Sequence, residues 1–338
     1  MESKWFFNED CVAGCAKHVP DNLVDLIITD PPYGIEGDTL HKHYNRKEEF
    51  VLDGYIEIPR REYPSFSLAW IKQAERILRP GGSLYIVSGY TNLRHILNAL
   101  ADTTLEEVNH IVWKYNFGVF TKNKYVSSHY HILYYVKPGG RVTFNTFCRF
   151  GPDERVKNNR SLNYMDREDV WIINREYKPG QRKNKNQLPT ELLTKLIQYS
   201  TNEGDLVFDL FLGSFSTAKV AVGMNRRAGG FEMSKLAFSF QMEEMKKLKP
   251  GALSQELRVP VLNGFQNQGK AWTHNEMEKV YRRYLTLIGV HRTKKRAVEI
   301  LCEEFGRGRF SIGKLVERFE REKGEWGRGK KDKQLSLF

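Results

Sequence analysis

The sequence predicts an α/β fold, with strands and helices alternating to build an open sheet, followed by a helical extension. Three observations carry this. An apolar, β-branched run at residues 23–29 reads as a strand covered on both faces. Strand–helix–strand patterns occur twice, and the pattern changes to purely helical near residue 250.

The elements follow in order. Leu23-Val-Asp-Leu-Ile-Ile-Thr29 is nearly continuous in aliphatic residues, as a buried parallel strand requires. Phe66, Ala69, Trp70, Ala74, Ile77 and Leu78 recur at helical spacing. Arg79-Pro80-Gly81-Gly82 stops that helix, and residues 83–88 make the next strand. The second unit places Leu192, Leu193, Leu196 and Ile197 on a helix, turns at Asn202-Glu-Gly204 and continues as strand Leu206–Phe208. Such alternation implies right-handed crossovers. Residues 274–305 are helical and amphipathic, Gly306-Arg-Gly308 breaks them, and Ile312–Phe319 resumes a short helix. This segment reads equally as a small helix-turn-helix-like basic unit or as a brace on the main domain. The boundaries are 1–250 for the main domain, with about 138–186 as a basic insert, 251–323 for the basic helical extension and 324–338 for a flexible, charged and glycine-containing tail.

Composition narrows the function classes. Hydrophobic residues make 40% and charged residues 28% of the 338 positions, ordinary for a water-soluble globular protein. No apolar run approaches the ~20 residues of a membrane span, and the N-terminus lacks the basic start and apolar stretch of a secretory signal. Four cysteines do not make a disulfide framework, so a reducing, cytoplasmic setting is expected. The net charge of +12 favours a polyanionic partner, most simply nucleic acid. The excess sits in two segments: residues 251–338 carry +8 and residues 138–186 carry +5. Two basic blocks flanking a neutral body look like grips on a phosphate backbone.

Asp30-Pro31-Pro32-Tyr33 directly follows the 23–29 strand, where open α/β sheets bind ligands. Two prolines stiffen the backbone and remove two N–H donors. The Asp30 carboxylate and a proline carbonyl are then acceptors beside an aromatic ring, a set suited to a planar base with an exocyclic amino group; the plain alternative is a strand-terminating turn. A second signal is Asp209-Leu-Phe211-Leu-Gly213-Ser214-Phe-Ser-Thr217, whose small residues let a ligand approach the backbone, with Glu232 about twenty residues on, where an acidic side chain binds ribose hydroxyls. The third is Asn8-Glu9-Asp10-Cys11.

Together these signals resemble the β-class S-adenosylmethionine-dependent amino-methyltransferases of DNA, in which the catalytic tetrapeptide precedes the glycine-containing cofactor motif, as Asp30 precedes Gly213. The likeness runs over about residues 5–245 and includes VDLIITDPPYG, WIKQAERILRPGGSLYIV, Ile111-Val-Trp113, SSHYHILYYVK, Asp169-Val-Trp171-Ile172 and QLPTELLTKLI. It implies a Rossmann-like methyltransferase sheet, with residues 1–250 as the catalytic domain and about 138–186 as the target-recognition insert. Carried over by position, Asp10, with Cys11 beside it, would take the cofactor's adenine. Asp209, Phe211, Gly213, Ser214 and Thr217 would shape its pocket, Glu232 would hold the ribose, and Pro189 would pack near the methionine end, with Asp30 bordering the cofactor. Phe215 stands where the family usually has a glycine, so the pocket is expected to narrow or the turn to move.

The implied reaction is methyl transfer to the 6-amino group of adenine in duplex DNA, with Asp30 and the Pro31 carbonyl accepting the amino hydrogens, Pro32 stiffening the motif and Tyr33 stacking on a flipped base. Asp at the first motif position is typical of adenine-specific members. Methylation of the cytosine 4-amino group, or an inactive nucleic-acid-binding protein on the same fold, are the alternatives. No Pro-Cys pair supports carbon-5 chemistry, and the scattered cysteines (11, 15, 148, 302) give no metal site. Residues 34–61, with His41, Lys42, His43, Arg46 and Lys47, read either as a cover over the extruded base or as a surface loop. Sequence reading falls to the insert, through Arg141, Arg149, Arg155, Lys157, Arg160, Arg182, Lys183 and Lys185, with Asn158, Asn159 and Asn163 able to reach base edges. The terminal Gln334, Leu335, Leu337 and Phe338 resemble the short peptide by which bacterial proteins dock on the sliding clamp; the alternative is a tail folded on its own domain. The likeness also implies a place in restriction–modification and leaves a homodimer open.

Overall fold

A computed structural model of the chain describes residues 3–34, 58–116, 118, 121–176, 187–261, 267, 271–291 and 293–321. The tail residues Gln334, Leu335, Leu337 and Phe338, the insert residues Arg182, Lys183 and Lys185, and positions 35–57 lie outside the described residues.

The sheet grows from the runs named above. Strands β1 (Phe6–Phe7), β2 (Val24–Thr29), β3 (Leu78–Ser88), β4 (Glu106–Lys114), β5 (His129–Val136), β6 (Val170–Ile172), β7 (Leu206–Asp209) and β8 (Arg227–Phe231) form one sheet in the order β1-β8-β7-β2-β3-β5-β4-β6. Neighbours from β1 to β3 are parallel, β5 runs antiparallel to both β3 and β4, and β6 is parallel to β4. The central run alternates between two cores: Leu26 and Ile28 face one side, Val24 and Ile27 the other. This is why the sequence is apolar at nearly every position rather than at every second one.

Helices α1 (Cys11–His18), α2 (Tyr63–Ile77) and α3 (Leu93–Ala101) supply one core, and α5 (Thr190–Ser200), α6 (Ser216–Gly223) and α7 (Lys235–Lys246) the other. Helix α2 has a proline in its first turn and buries Trp70, Ile71, Ala74 and Ile77. It ends at Ile77, one residue before the expected stop, and residues 78–82 belong to β3. Gly81 there adopts φ +76°, and its N–H donates to the Lys137 carbonyl at 2.7 Å.

The chain divides into two compact units, Met1–Cys148 with Arg167–Arg258, and Arg149–Asp166 with Val259–Phe338. The basic insert is therefore shared, since residues 149–166 group with the C-terminal helices. In the second unit, α4 (Leu162–Asp166) precedes α8 (His274–His291), α9 (Lys294–Phe305) and α10 (Arg309–Arg321). The last three close on their own core of Val280, Tyr284, Leu301, Ile312, Val316 and Phe319. The expected single helix over 274–305 is two helices: Thr293 is extended at φ −131°, ψ 129°, and the break lets Leu287 and Val298 share one core. The next break stands where expected, with Gly306 left-handed at φ +59°.

Candidate functional site

Because β1, β8, β7 and β2 are consecutive and parallel, the residues after each lie along one edge of the sheet. That edge carries Asn8–Asp10, Glu232, Asp209 and Asp30. The chain leaves β7 through α6 toward β8 and leaves β2 through α2 toward β3, in opposite directions. Asp209 and Asp30 therefore flank the topological switch point, where open α/β sheets bind ligands.

The Asp30–Tyr33 segment is fixed through its backbone. Tyr63 Oη donates to the Pro32 carbonyl at 2.8 Å, and Asn92 Nδ2 donates to the Tyr33 carbonyl at 2.6 Å. Gly34 must follow: at φ +58°, a Cβ would stand 2.4 Å from the Tyr63 ring. The Pro32 carbonyl is thus occupied, which leaves the buried Pro31 to offer the proline acceptor. Asp30 is not an open acceptor either, because Tyr33 Oη donates to its Oδ1 at 2.6 Å. Tyr33 does not point away from the protein but stacks on Tyr130, with ring centroids 5.6 Å apart. The Asp30 side chain keeps an opening to solvent, yet the surrounding protein pushes its pKa up to about 7; Tyr33 and Arg175 oppose that rise and Asp209 adds to it.

Asp209 organises the turn between β7 and α6. Its Oδ1 accepts from Thr29 Oγ1 at 3.0 Å and the Phe211 N–H at 3.0 Å, and its Oδ2 accepts from Thr217 Oγ1 at 2.8 Å. Bonds to a charged acceptor contribute about 1.5–3 kcal/mol each. Burial still raises its pKa to about 6. Thr217 therefore holds the turn, and Ser214 is paired with Ser216, their hydroxyls 2.7 Å apart. Phe211 meets Trp70 edge-on at 5.6 Å.

Glu232 closes the same turn from β8. Its Oε2 accepts from the Gly213 N–H at 2.9 Å and its Oε1 from the Ser234 N–H at 2.7 Å, while burial raises its pKa. Asp10 caps α1 through Oδ1 alone, accepting from the Val12 and Ala13 N–H groups at 2.9 and 3.0 Å. Asp10 Oδ2 has no hydrogen bond among the described residues. The Cys11 thiol is buried in the core beneath, with its pKa raised by that burial, so only the Cys11 backbone is available to a ligand. Pro189 is buried at the start of α5, where its carbonyl accepts from the Leu193 N–H at 3.1 Å.

Phe215 is accommodated within the turn itself. It adopts φ +59°, ψ 26°, the conformation a glycine would take, and its fully buried ring stacks on Phe6 at 5.6 Å. Left-handed backbone at a bulky residue costs roughly 1–2 kcal/mol, which burial of the ring offsets.

The recognition candidates separate. Arg141, Arg155, Lys157 and Arg160 are exposed. Arg149 instead pairs with Asp166 at 3.0 Å, both side chains only 13% and 12% exposed, so it is a structural cation. Asn163 is buried and donates to the Phe150 carbonyl at 3.0 Å, which removes it from base reading.

A cluster that no motif announced borders Asp30. Arg175, just after β6, donates from Nη2 to Tyr130 Oη at 2.7 Å, and its guanidinium lies 4.7 Å from the Tyr115 ring centroid and 5.1 Å from that of Tyr130.

A family model described as DNA methylase matches residues 24–243. The Type II methyltransferase M.BamHI of Bacillus amyloliquefaciens is 31% identical over 242 residues, covering 67% of this chain and 54% of that protein. The chain thus matches about half the length of that relative. The DNA adenine methyltransferase YhdJ of Escherichia coli K12 is 29% identical over 290 residues, 76% of this chain and 92% of that one. Among solved structures, the cytosine-N4-specific PvuII DNA methyltransferase shares the fold with a TM-score of 0.51 at 15% identity, covering 74% of this chain and 89% of that one.

Proposed function

As the chain belongs to the DNA methylase family, we propose that it transfers a methyl group from S-adenosylmethionine to the 6-amino group of adenine in duplex DNA. The observation that carries this reading is the placement of Asp30. A carboxyl group open to solvent on one side stands at the switch point, next to an edge that offers Asp10 Oδ2, the Gly213 turn and Glu232.

Those residues fit a nucleoside-bearing cofactor. Among the described residues Asp10 Oδ2 is an uncommitted acceptor, suited to an adenine amino group, and Glu232 is held by two backbone amides with lone pairs left for ribose hydroxyls. Gly213, Ser214 and Phe211 would line the turn, and Pro189 the far end. When bound, S-adenosylmethionine supplies a methyl group on a positively charged sulfur.

An amino group conjugated to a base is a poor nucleophile, since its lone pair is delocalised into the ring. The Asp30 carboxylate and the Pro31 carbonyl, each accepting one N–H, draw that nitrogen toward tetrahedral geometry and turn the lone pair out of the ring plane. Fixed acceptors need no reorganisation when charge develops. The work falls to positioning, and the backbone bonds from Tyr63 and Asn92 supply it. A carboxylate with a pKa of about 7 is also suited to take up the proton that the methylated nitrogen releases.

A base inside a duplex cannot reach such a site, so it is extruded and stacked on Tyr33. The exposed Arg141, Arg155, Lys157 and Arg160 would hold phosphates. None of the helices described is long and apolar enough to cross a membrane, and a cytoplasmic enzyme is proposed. A restriction–modification role, a homodimer and a clamp contact through Gln334–Phe338 extend the reading. Deleting the last five residues tests the last of these, since clamp affinity should fall.

The test of the activity is direct. Tritiated S-adenosylmethionine and unmethylated duplex DNA are incubated with the protein, and the DNA is hydrolysed to nucleosides. Label in N6-methyl-2′-deoxyadenosine is expected. Label in N4-methyl-2′-deoxycytidine would overturn the choice of base, and no label in DNA would overturn the activity.

A further inference from the structure

Arg175 is anchored through its own segment of chain. The Ile173 N–H donates to the Lys114 carbonyl at 3.1 Å, and Trp113 Nε1 donates to the Ile173 carbonyl at 2.8 Å, so β6 delivers the residue at a defined place. From there the guanidinium covers the Tyr115 and Tyr130 rings and donates to Tyr130 Oη. The Tyr130 ring stacks on Tyr33, and Tyr33 donates to Asp30. The line of contact Arg175–Tyr130–Tyr33–Asp30 thus joins a cation on one strand to the carboxylate on another. Arg175 Nε is buried and has no hydrogen-bond partner among the described residues, so nothing there neutralises the guanidinium through that nitrogen. Arg175 is half-buried, and its guanidinium faces two tyrosine rings and the Tyr130 hydroxyl, whereas Arg149 is paired with the Asp166 carboxylate.

We propose that Arg175 is a positioning residue for methyl transfer: it braces Tyr130 and Tyr33 behind the target base and holds Asp30 in the charged, hydrogen-accepting form. This rests on the reading of Asp30 as the acceptor of the base amino group. Among the described residues, the groups facing Asp30 are Tyr33 from its own loop, Asp209 from the end of β7, Tyr130 from β5 and Arg175 from the segment after β6. Among these Arg175 is the one cation, and it opposes both desolvation and the Asp209 charge. A protonated carboxyl is a weaker acceptor and turns one of its oxygens into a donor, so the site works best while Asp30 is charged.

Two substitutions separate charge from shape. Arg175→Gln keeps a donor for Tyr130 and removes the charge, whereas Arg175→Lys keeps the charge and removes the planar fork. The rate of methyl transfer to duplex DNA is followed from pH 5.5 to 9. For Arg175→Gln the acid limb is expected to move up by about half to one pH unit, with transfer at pH 7 lowered about two- to sixfold. For Arg175→Lys the limb should stay near its wild-type position while the maximal rate falls. In parallel, the carboxyl stretch of Asp30, assigned by its loss in Asp30→Asn, is titrated by infrared difference spectroscopy without substrate. It should move up in Arg175→Gln by the same amount. An infrared titration identical in wild type and Arg175→Gln overturns the proposal, as does an unmoved acid limb. Failure of the wild type to label DNA, with the infrared shift present, would instead count against the functional reading alone.

Discussion

Tyr33 donates its hydroxyl to Asp30 Oδ1 across 2.6 Å, so the two side chains expected to act on a flipped base hold each other in its absence. The bond favours charged Asp30, and the base must displace it to be accepted by the same oxygen. Tyr33→Phe keeps the ring on Tyr130 and frees the acceptor. Its loss raises the Asp30 pKa above about 7, so fewer molecules are charged at neutral pH. Transfer by Tyr33→Phe should fall about tenfold at pH 6.5 and stay within about threefold of wild type at pH 9. An equal loss at both values would contradict this.

Asp30 and Asp209 carry pKa values raised from 3.8 to about 7 and about 6. The folded protein therefore holds protons that the unfolded chain has already released, and stability falls as pH rises from about 4 through 7. Asp30→Asn removes the charge and keeps an oxygen for Tyr33. It should be more stable than wild type by roughly 1–3 kcal/mol at pH 8, a gain that fades below pH 4 where both forms are neutral. Urea midpoints at the two pH values measure it.

At Phe215 the backbone favours glycine while the core favours a ring. Truncating a buried phenylalanine costs about 3–5 kcal/mol. Phe215→Ala keeps the left-handed strain that Phe215→Gly relieves, so the glycine variant should be the more stable of the two by about 1 kcal/mol. In an ordinary first turn of a helix the order is the reverse. Thermal unfolding of both variants decides it.

Glu232 braces the Gly213 turn, and in the proposed reading its remaining lone pairs hold the cofactor ribose. Glu232→Gln loses one acceptor oxygen and the charge, and is expected to weaken binding of S-adenosylmethionine by about 10–100-fold, read by calorimetry. Unchanged affinity would remove Glu232 from the cofactor site.

Much of this was legible in the sequence because its signals are local. The 23–29 run, the tetrapeptide after it, the Gly213 turn and Glu232 each lie within one strand–turn unit, and one-dimensional patterns report such units well. The Arg175–Tyr130–Tyr115 cluster was not legible, since three strands far apart in the chain bring it together and none of its residues has a characteristic spacing. The fates of Arg149 and Asn163 were hidden for a related reason: a basic or amide side chain reads as available until a partner such as Asp166 or the Phe150 carbonyl is found beside it. The partner of Phe215 was not legible either, because the ring packs on Phe6, more than two hundred residues earlier in the chain. The break before Lys294 escaped because the apolar residues of α8 and α9 continue a nearly helical spacing across it.

The most direct measurement pairs methyl transfer with cofactor binding in Asp30→Ala. Tritium incorporation into duplex DNA should drop to background while the calorimetric Kd for S-adenosylmethionine stays within a few-fold of wild type, since the proposed reading has the carboxylate act on the base and Asp10 and Glu232 hold the cofactor. Incorporation that persists at the wild-type rate without the carboxylate would contradict it.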